Sequence, residues 1–209
     1  MARHLSVHPD DPQTRLLQQA AAIIREGGVV AYPTDSCYAL GCHLGDKAAA
    51  DRIRRIRGLD EDRWMTLICR DLSEIARYAK VDNTQYRLLK ACTPGPYTFI
   101  LQASREVPRR LMCPKRAHIG LRIPAHPVVR GLLEALGEPL VSTSLIMPGE
   151  TEPLTAGWDI ADRLEHLVDV VIDDGSDAAH LTTVVDLSAG APDLIRAGSG
   201  PLEPLGLPA

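Results

Sequence analysis

Apolar residues in this chain come in short bursts such as Val168-Asp169-Val170-Val171-Ile172, separated by stretches of helical period. Bursts of this length suit strands buried inside a sheet, and none approaches the ~20 residues needed to cross a bilayer. Strands are predicted at 29–32, 38–41, 64–69, 97–101, 119–124, 139–144, 168–172, 183–187 and 193–196. Helices are predicted at 11–26, 47–57, 72–78, 83–91 and 127–136. Their ends carry chemical signals: Gly27-Gly28 stops the first, Asp46 caps the second and Gly58 ends it, and Pro127 opens the last before Gly137. Strands and helices alternate without strict order. The expected fold is therefore α/β, a single-domain open twisted mixed sheet flanked by helices.

No low-complexity linker divides the 209 residues, so one domain is expected at 12–200, with 1–11 and 201–209 as terminal extensions. A hydrophobic share of 45% with 24% charged residues excludes a disordered or fibrous chain. The first residues lack the apolar core of a signal peptide, so the expected location is the cytoplasm, with no membrane partner. Five cysteines without a C-x-x-C pair argue against a disulfide framework or a thiolate metal site, and no metal site is expected. Cys37, in a polar turn, would act as a nucleophile only beside a base that lowers its pKa.

The net charge of -4 conceals an asymmetry: residues 1–149 carry 21 basic and 15 acidic side chains, whereas 150–209 carry Arg163 and Arg196 against 12 acids. Nineteen of the 23 basic residues are Arg, whose planar fork matches phosphate and carboxylate oxygens in pairs, which makes anionic partners plausible. The most basic stretch holds Arg105, Arg109, Arg110, Lys115, Arg116 and Arg122 against one acid, Glu106. Arg122 stands among apolar strand neighbours, where an unpaired charge is costly.

No phosphate-binding glycine loop, dinucleotide fingerprint or H-E-x-x-H helix occurs. Ser144 and His118 lack an orienting third group and a G-x-S-x-G elbow, so a serine hydrolase has little support, and His126 reads as a helix-start residue. Hydroxyl- or Arg-bearing turns fall instead at strand ends: Thr34 and Ser36, Thr98, Arg122, Ser142 to Ser144, and Thr182-Thr183. Ligands of open α/β sheets sit in such crevices, and an anionic, nucleotide-like ligand suits this lining.

Four ordered stretches, 27–41, 94–99, 120–127 and 142–144, resemble the signatures of the YrdC/Sua5 family from the first helix to Arg196. Pro33-Thr34-Asp35-Ser36, Cys69-Arg70-Asp71-Leu72-Ser73-Glu74 and Val141-Ser142-Thr143-Ser144-Leu145 are most similar to its YciO branch. The resemblance implies a YrdC/RibB-like sheet with a concave basic face, and double-stranded RNA or tRNA as a partner. It also implies an ATP/adenylate cleft related to synthases that make threonylcarbamoyl-adenylate from threonine, bicarbonate and ATP, with Mg²⁺ as the accompanying ion, for tRNA N6-threonylcarbamoyladenosine. By position, Ser36, Arg122 and Thr182 would lie in the threonine and carboxylate region; Arg55, Arg57, Thr98, Ser144 and Arg196 would lie around the nucleotide phosphates. No single residue is assigned as catalytic.

The synthases carry Lys-x-Arg where this chain has Arg55-Ile56-Arg57, and Ser-x-Asn where it has Ser144-Leu145-Ile146. Ile for Asn deletes a donor and an acceptor, and a missing catalytic hydrogen bond costs ~100- to 1,000-fold in rate. The expectation is a weakened synthase of the nucleotidyltransferase type; the alternative is a non-catalytic RNA-binding protein of ribosome or tRNA maturation.

Overall fold

The computed structural model describes residues 1–60, 65–112 and 117–207. The strands run in chain order β1 (Arg3–Ser6), β2 (Val30–Tyr32), β3 (Ala39–His43), β4 (Thr66–Ile68), β5 (Tyr97–Gln102), β6 (His118–Arg122), β7 (Leu140–Ser144), β8 (Val170–Asp173), β9 (Thr183–Asp186) and β10 (Asp193–Arg196). The helices are α1 (Thr14–Arg25), α2 (Lys47–Arg57), α3 (Leu72–Tyr78), α4 (Asn83–Cys92), α5 (Pro127–Leu136) and α6 (Gly157–Arg163), with single 3-10 turns at Arg109–Leu111 and Glu203–Leu205.

All ten strands join one mixed sheet in the order β1-β8-β2-β3-β7-β4-β6-β5-β9-β10. Strand side chains alternate between faces, so each burst feeds two cores. One face buries Ala31, Leu40, Leu67, Phe99, Leu121, Val141, Val171 and Val185 beneath α2, α3, α4 and α6. The other buries Val30, Tyr32, Ile68, Leu140, Val170 and Ile172 beneath α1 and α5. These two helices cover only the β1 side of their face. The face of β4, β5, β6 and β9 beyond them stays open, and this positions the site.

The local signals act as read. Asp46 Oδ1 accepts from Ala49 N at 2.9 Å to start α2, and Gly58 ends it at φ 60°, a left-handed conformation that side chains with a Cβ resist. Asp82 and Gln85 form a reciprocal capping box on α4. Two elements escape the sequence reading. Residues 3–6, read as part of a terminal extension, form the parallel edge strand β1 paired to β8, with Leu5 buried; four residues with one apolar side chain carry too little pattern to announce a strand. Helix α6 opens on Gly157 without a capping side chain, so no local signal announces it, whereas the equally short α3 is capped by Asp71. At the other end, Leu205 enters the core and Tyr97 donates its hydroxyl to Pro201 O at 2.9 Å, so the chain past 200 also packs against the sheet. Trp64, the expected start of the strand at 64–69, lies outside the described residues, as do Cys113, Lys115 and Arg116.

Candidate functional site

The uncovered half of the sheet forms a cleft of about 430 Å³, within the range that binds small organic ligands. Its floor follows from strand parity. Thr66 of β4 stands opposite Gly120 of β6 and Ser142 of β7, while Thr98 and Ile100 of β5 and Val184 of β9 continue the row. Gly120 keeps the floor low: a Cβ there would lie 3.0 Å from Thr66 Oγ1 and 3.5 Å from Thr98 Cγ2. Thr66, Thr98, Thr143, Ser144 and Thr182 supply hydroxyls, and Met65, Ile100, Val184 and Ile195 supply an apolar lobe.

A bulge in β10 sets the cleft's cation. The β9–β10 register shifts between Leu194 and Arg196, so Ile195 and Arg196, consecutive residues that would face opposite ways in a regular strand, both line the cleft. Arg196 donates from Nε and Nη2 to Thr182 O at 3.1 and 3.0 Å and from Nη2 to Thr182 Oγ1 at 3.1 Å; that hydroxyl also bonds Thr98 Oγ1 at 3.1 Å. Burial draws the guanidinium's pKa below its ordinary value, with Cys37 opposing. Among the described residues no carboxylate lies within 4.0 Å of it. A guanidinium whose fork is already oriented and has no counter-charge is ready to pair with an incoming anion.

Beyond Thr66, Thr98 and Thr182 the cleft narrows to a recess of about 30 Å³ that also meets Cys37, Ser142 and Arg122. Arg122 is only 6% exposed, and its burial is answered by an ion pair to Asp35 and a 3.3 Å bond from Nη2 to Thr34 Oγ1. Asp35 Oδ2 also accepts from Ala125 N at 2.9 Å, tying the Thr34 turn to the end of β6. Nε of Arg122 has no partner among the described residues. Thr34 Oγ1 bonds Ser36 Oγ at 3.0 Å and donates to Cys37 O at 2.7 Å, which holds the turn closed with Ser36 almost fully buried. Burial pushes the Cys37 thiol up, against the opposing pull of Ser144, Arg122, Ser36 and Arg196, so it is a neutral wall of the recess, not a thiolate nucleophile.

Of the residues singled out from sequence, the fold brings Thr98, Thr182, Ser144 and Arg196 together in the cleft and Arg122 into the recess. Ser36 is buried and lines neither the cleft nor the recess. Arg55 does not join them: α2 packs on the opposite face of the sheet, and Arg55 lines a groove there with Lys47, Asp51, Arg54 and Arg110. Arg57, at the end of the same helix, is not among the cleft's lining residues either. His126 precedes α5, as read from sequence, and its Nε2 pairs with the buried Asp174 carboxylate at 3.2 Å. Asp35, Thr66 and Ile195 were missed. Asp35 lies inside the Thr34 to Ser36 turn, but nothing local says that it meets an arginine 87 positions away.

This arrangement defines an open α/β protein whose polar cleft lies on a bare sheet face, without a glycine-rich phosphate loop. The chain belongs to the Sua5/YciO/YrdC family: the family model, described as "Telomere recombination", matches residues 22–198. It is 50% identical over 204 residues to the uncharacterized protein YciO of Escherichia coli K12, covering 98% of this chain and 99% of that one. The YciO crystal structure superimposes with a TM-score of 0.95 over 98% of this chain and all of that chain. A threonylcarbamoyl-AMP synthase of Chromobacterium violaceum is 39% identical over 150 residues, 71% of this chain and 77% of that protein. The structure of P. abyssi Sua5 complexed with L-threonine matches at 29% identity and a TM-score of 0.88, over 96% of this chain and 58% of that one. The family, the fold and the likeness to YciO expected from sequence are thereby established. No helix among the described residues is long and apolar enough to cross a membrane.

Proposed function

We propose that this protein binds ATP and an amino acid in the cleft and forms a carbamoyl-adenylate of threonine from threonine, bicarbonate and ATP, at a rate below that of the synthases. The observation that carries this reading is Arg196, a guanidinium without a carboxylate partner among the described residues, its fork fixed by Thr182 at the open edge of a hydroxyl-lined cleft. In the reaction a carbamate oxygen forms the new bond to the α-phosphorus and the bond to pyrophosphate breaks. Such a transfer asks for alignment and charge neutralisation more than for covalent help from the protein.

Arg196 would neutralise phosphate oxygens, Thr98, Thr182 and Ser144 would hold polar atoms of the nucleotide, and the Arg122 recess would take the amino-acid carboxylate. Mg²⁺ would arrive on the nucleotide, since it keeps several waters and needs only one or two carboxylates beside substrate phosphates. Two features argue for a low rate. Asp35 already neutralises Arg122, and Ile146, whose backbone N–H bonds Ser144 O at 3.1 Å, offers no side-chain donor or acceptor.

The same two features favour the second reading, a non-catalytic protein that binds double-stranded RNA or tRNA. Pyrophosphate release by the purified protein with ATP, Mg²⁺, threonine and bicarbonate separates the two. Release that depends on threonine and rises in Ile146→Asn supports the synthase reading. No release from either protein, with salt-sensitive RNA binding intact, would leave the binding role.

A further inference from the structure

The basic residues that the cleft does not use collect on the other face of the sheet. Lys47, Asp51, Arg54, Arg55 and Gly58 follow one another at helical spacing along α2, a stripe about 16 Å long at 1.5 Å per residue. Facing the stripe is Arg110, from the 3-10 turn Arg109–Leu111, and the two elements enclose a pocket of about 540 Å³. Among the described residues that line it, four cations meet one carboxylate, Asp51.

All three guanidiniums are anchored by backbone carbonyls, and Arg54 also pairs with the Asp51 carboxylate. Arg54 donates from Nη2 to Arg110 O at 3.2 Å and touches Asp51 Oδ1 from Nη1 at 3.3 Å. Arg110 donates from Nη2 to Leu44 O at 2.9 Å, and Arg55 donates from Nε to Asp51 O at 3.5 Å. Carbonyls fix orientation without cancelling charge. Nε of Arg54 and of Arg110 are out of solvent with no acceptor among the described residues.

Helix-dipole complementation accounts for part of this cluster, because Arg54 and Arg55 occupy the last turn of α2, where cations are favoured. It does not account for Lys47, in the first turn where a cation is disfavoured, or for Arg110, which is on another element. Convergence from two elements on a concave pocket, with anchored forks, is the arrangement that recognises phosphate oxygens. The pocket's volume matches a compact ligand, and its concavity does not suit a rigid duplex.

We infer that the α2 pocket is a second anion site, separate from the cleft, for the phosphate oxygens of a compact di- or triphosphate. This site is independent of the cleft's proposed chemistry. Equilibrium dialysis with radiolabelled inorganic pyrophosphate, in an Arg196→Ala background that disables the cleft, tests it. One equivalent should still bind. Adding Lys47→Ala and Arg55→Ala, both exposed side chains, should weaken binding by about 10- to 100-fold. The charge-keeping pair Lys47→Arg and Arg55→Lys should hold affinity within a few-fold, with unchanged melting temperatures showing that all variants fold. Absence of pyrophosphate binding in the Arg196→Ala background, or binding indifferent to Lys47 and Arg55, would overturn the inference. So would a short RNA duplex whose binding depends on these residues while pyrophosphate does not compete, a result that assigns the pocket to a phosphodiester backbone instead.

Discussion

Replacing Asp35 by Asn tests whether the Asp35–Arg122 pair holds the recess together. Both side chains are largely buried, at 12% and 7% exposure, and Asp35 joins Arg122 to the backbone N–H of Ala125 through its two carboxylate oxygens. Asn keeps the shape but loses the charge, and it turns one acceptor into a donor that must face a donor. Losing one charged hydrogen bond costs ~1.5–3 kcal/mol, and removing one partner of a fully buried pair costs ~3–5 kcal/mol. The expected destabilisation is about 3 kcal/mol. At ~2–4 °C per kcal/mol for a chain of this size, the melting temperature should fall by roughly 6–12 °C. Arg122→Met should cost a similar amount, because it leaves Asp35 buried without its counter-charge. The double variant removes both charges, so it should be less destabilised than the sum of the singles by ~2 kcal/mol. Urea denaturation of all four proteins measures this cycle. Additivity to within ~0.5 kcal/mol would show that the two side chains do not stabilise each other, and the account of the recess would fail.

Two further perturbations probe the neighbouring geometry. Thr182→Val keeps volume but removes the hydroxyl that meets both Arg196 and Thr98; equilibrium dialysis should show ATP binding weakened by about tenfold with little change in melting temperature, and unchanged binding would remove Thr182 from the site. Burial opposes ionisation of Asp174, yet hydrogen bonds from His126 and Ser176 hold its carboxyl below its ordinary value of 3.8. The stability it contributes is therefore complete above that value and lost as pH falls through the lower folded-state value. Melts between pH 5 and 2 should show a loss in the wild type that Asp174→Asn lessens, and parallel curves would refute the assignment.

The elements legible in the sequence are those whose signals are local. Asp46 and Gly58 bound α2, and Pro127 and Gly137 bound α5, because a cap or a left-handed glycine acts within one turn of its helix. Strand parity likewise sorts Phe99 from Thr98 and Leu121 from Gly120, and with it the inner from the outer face. β1, with one apolar side chain, and α6, without a capping side chain, carried no local signal to be read. Arg55 shows a different failure: a resemblance of motif placed it at the nucleotide phosphates, whereas α2 carries it behind the sheet.

Composition, patterning and motif order are properties of neighbouring residues, and from them the chain alone determines an α/β sheet, its family, and hydroxyls and arginines at strand ends. Tertiary structure decided the rest. That α1 and α5 cover only one half of their face, that a bulge turns Arg196 into the cleft, and that Asp35 meets Arg122 across 87 positions all depend on strand order and register. Register is set by the simultaneous packing of distant segments, and no short stretch of sequence contains that information.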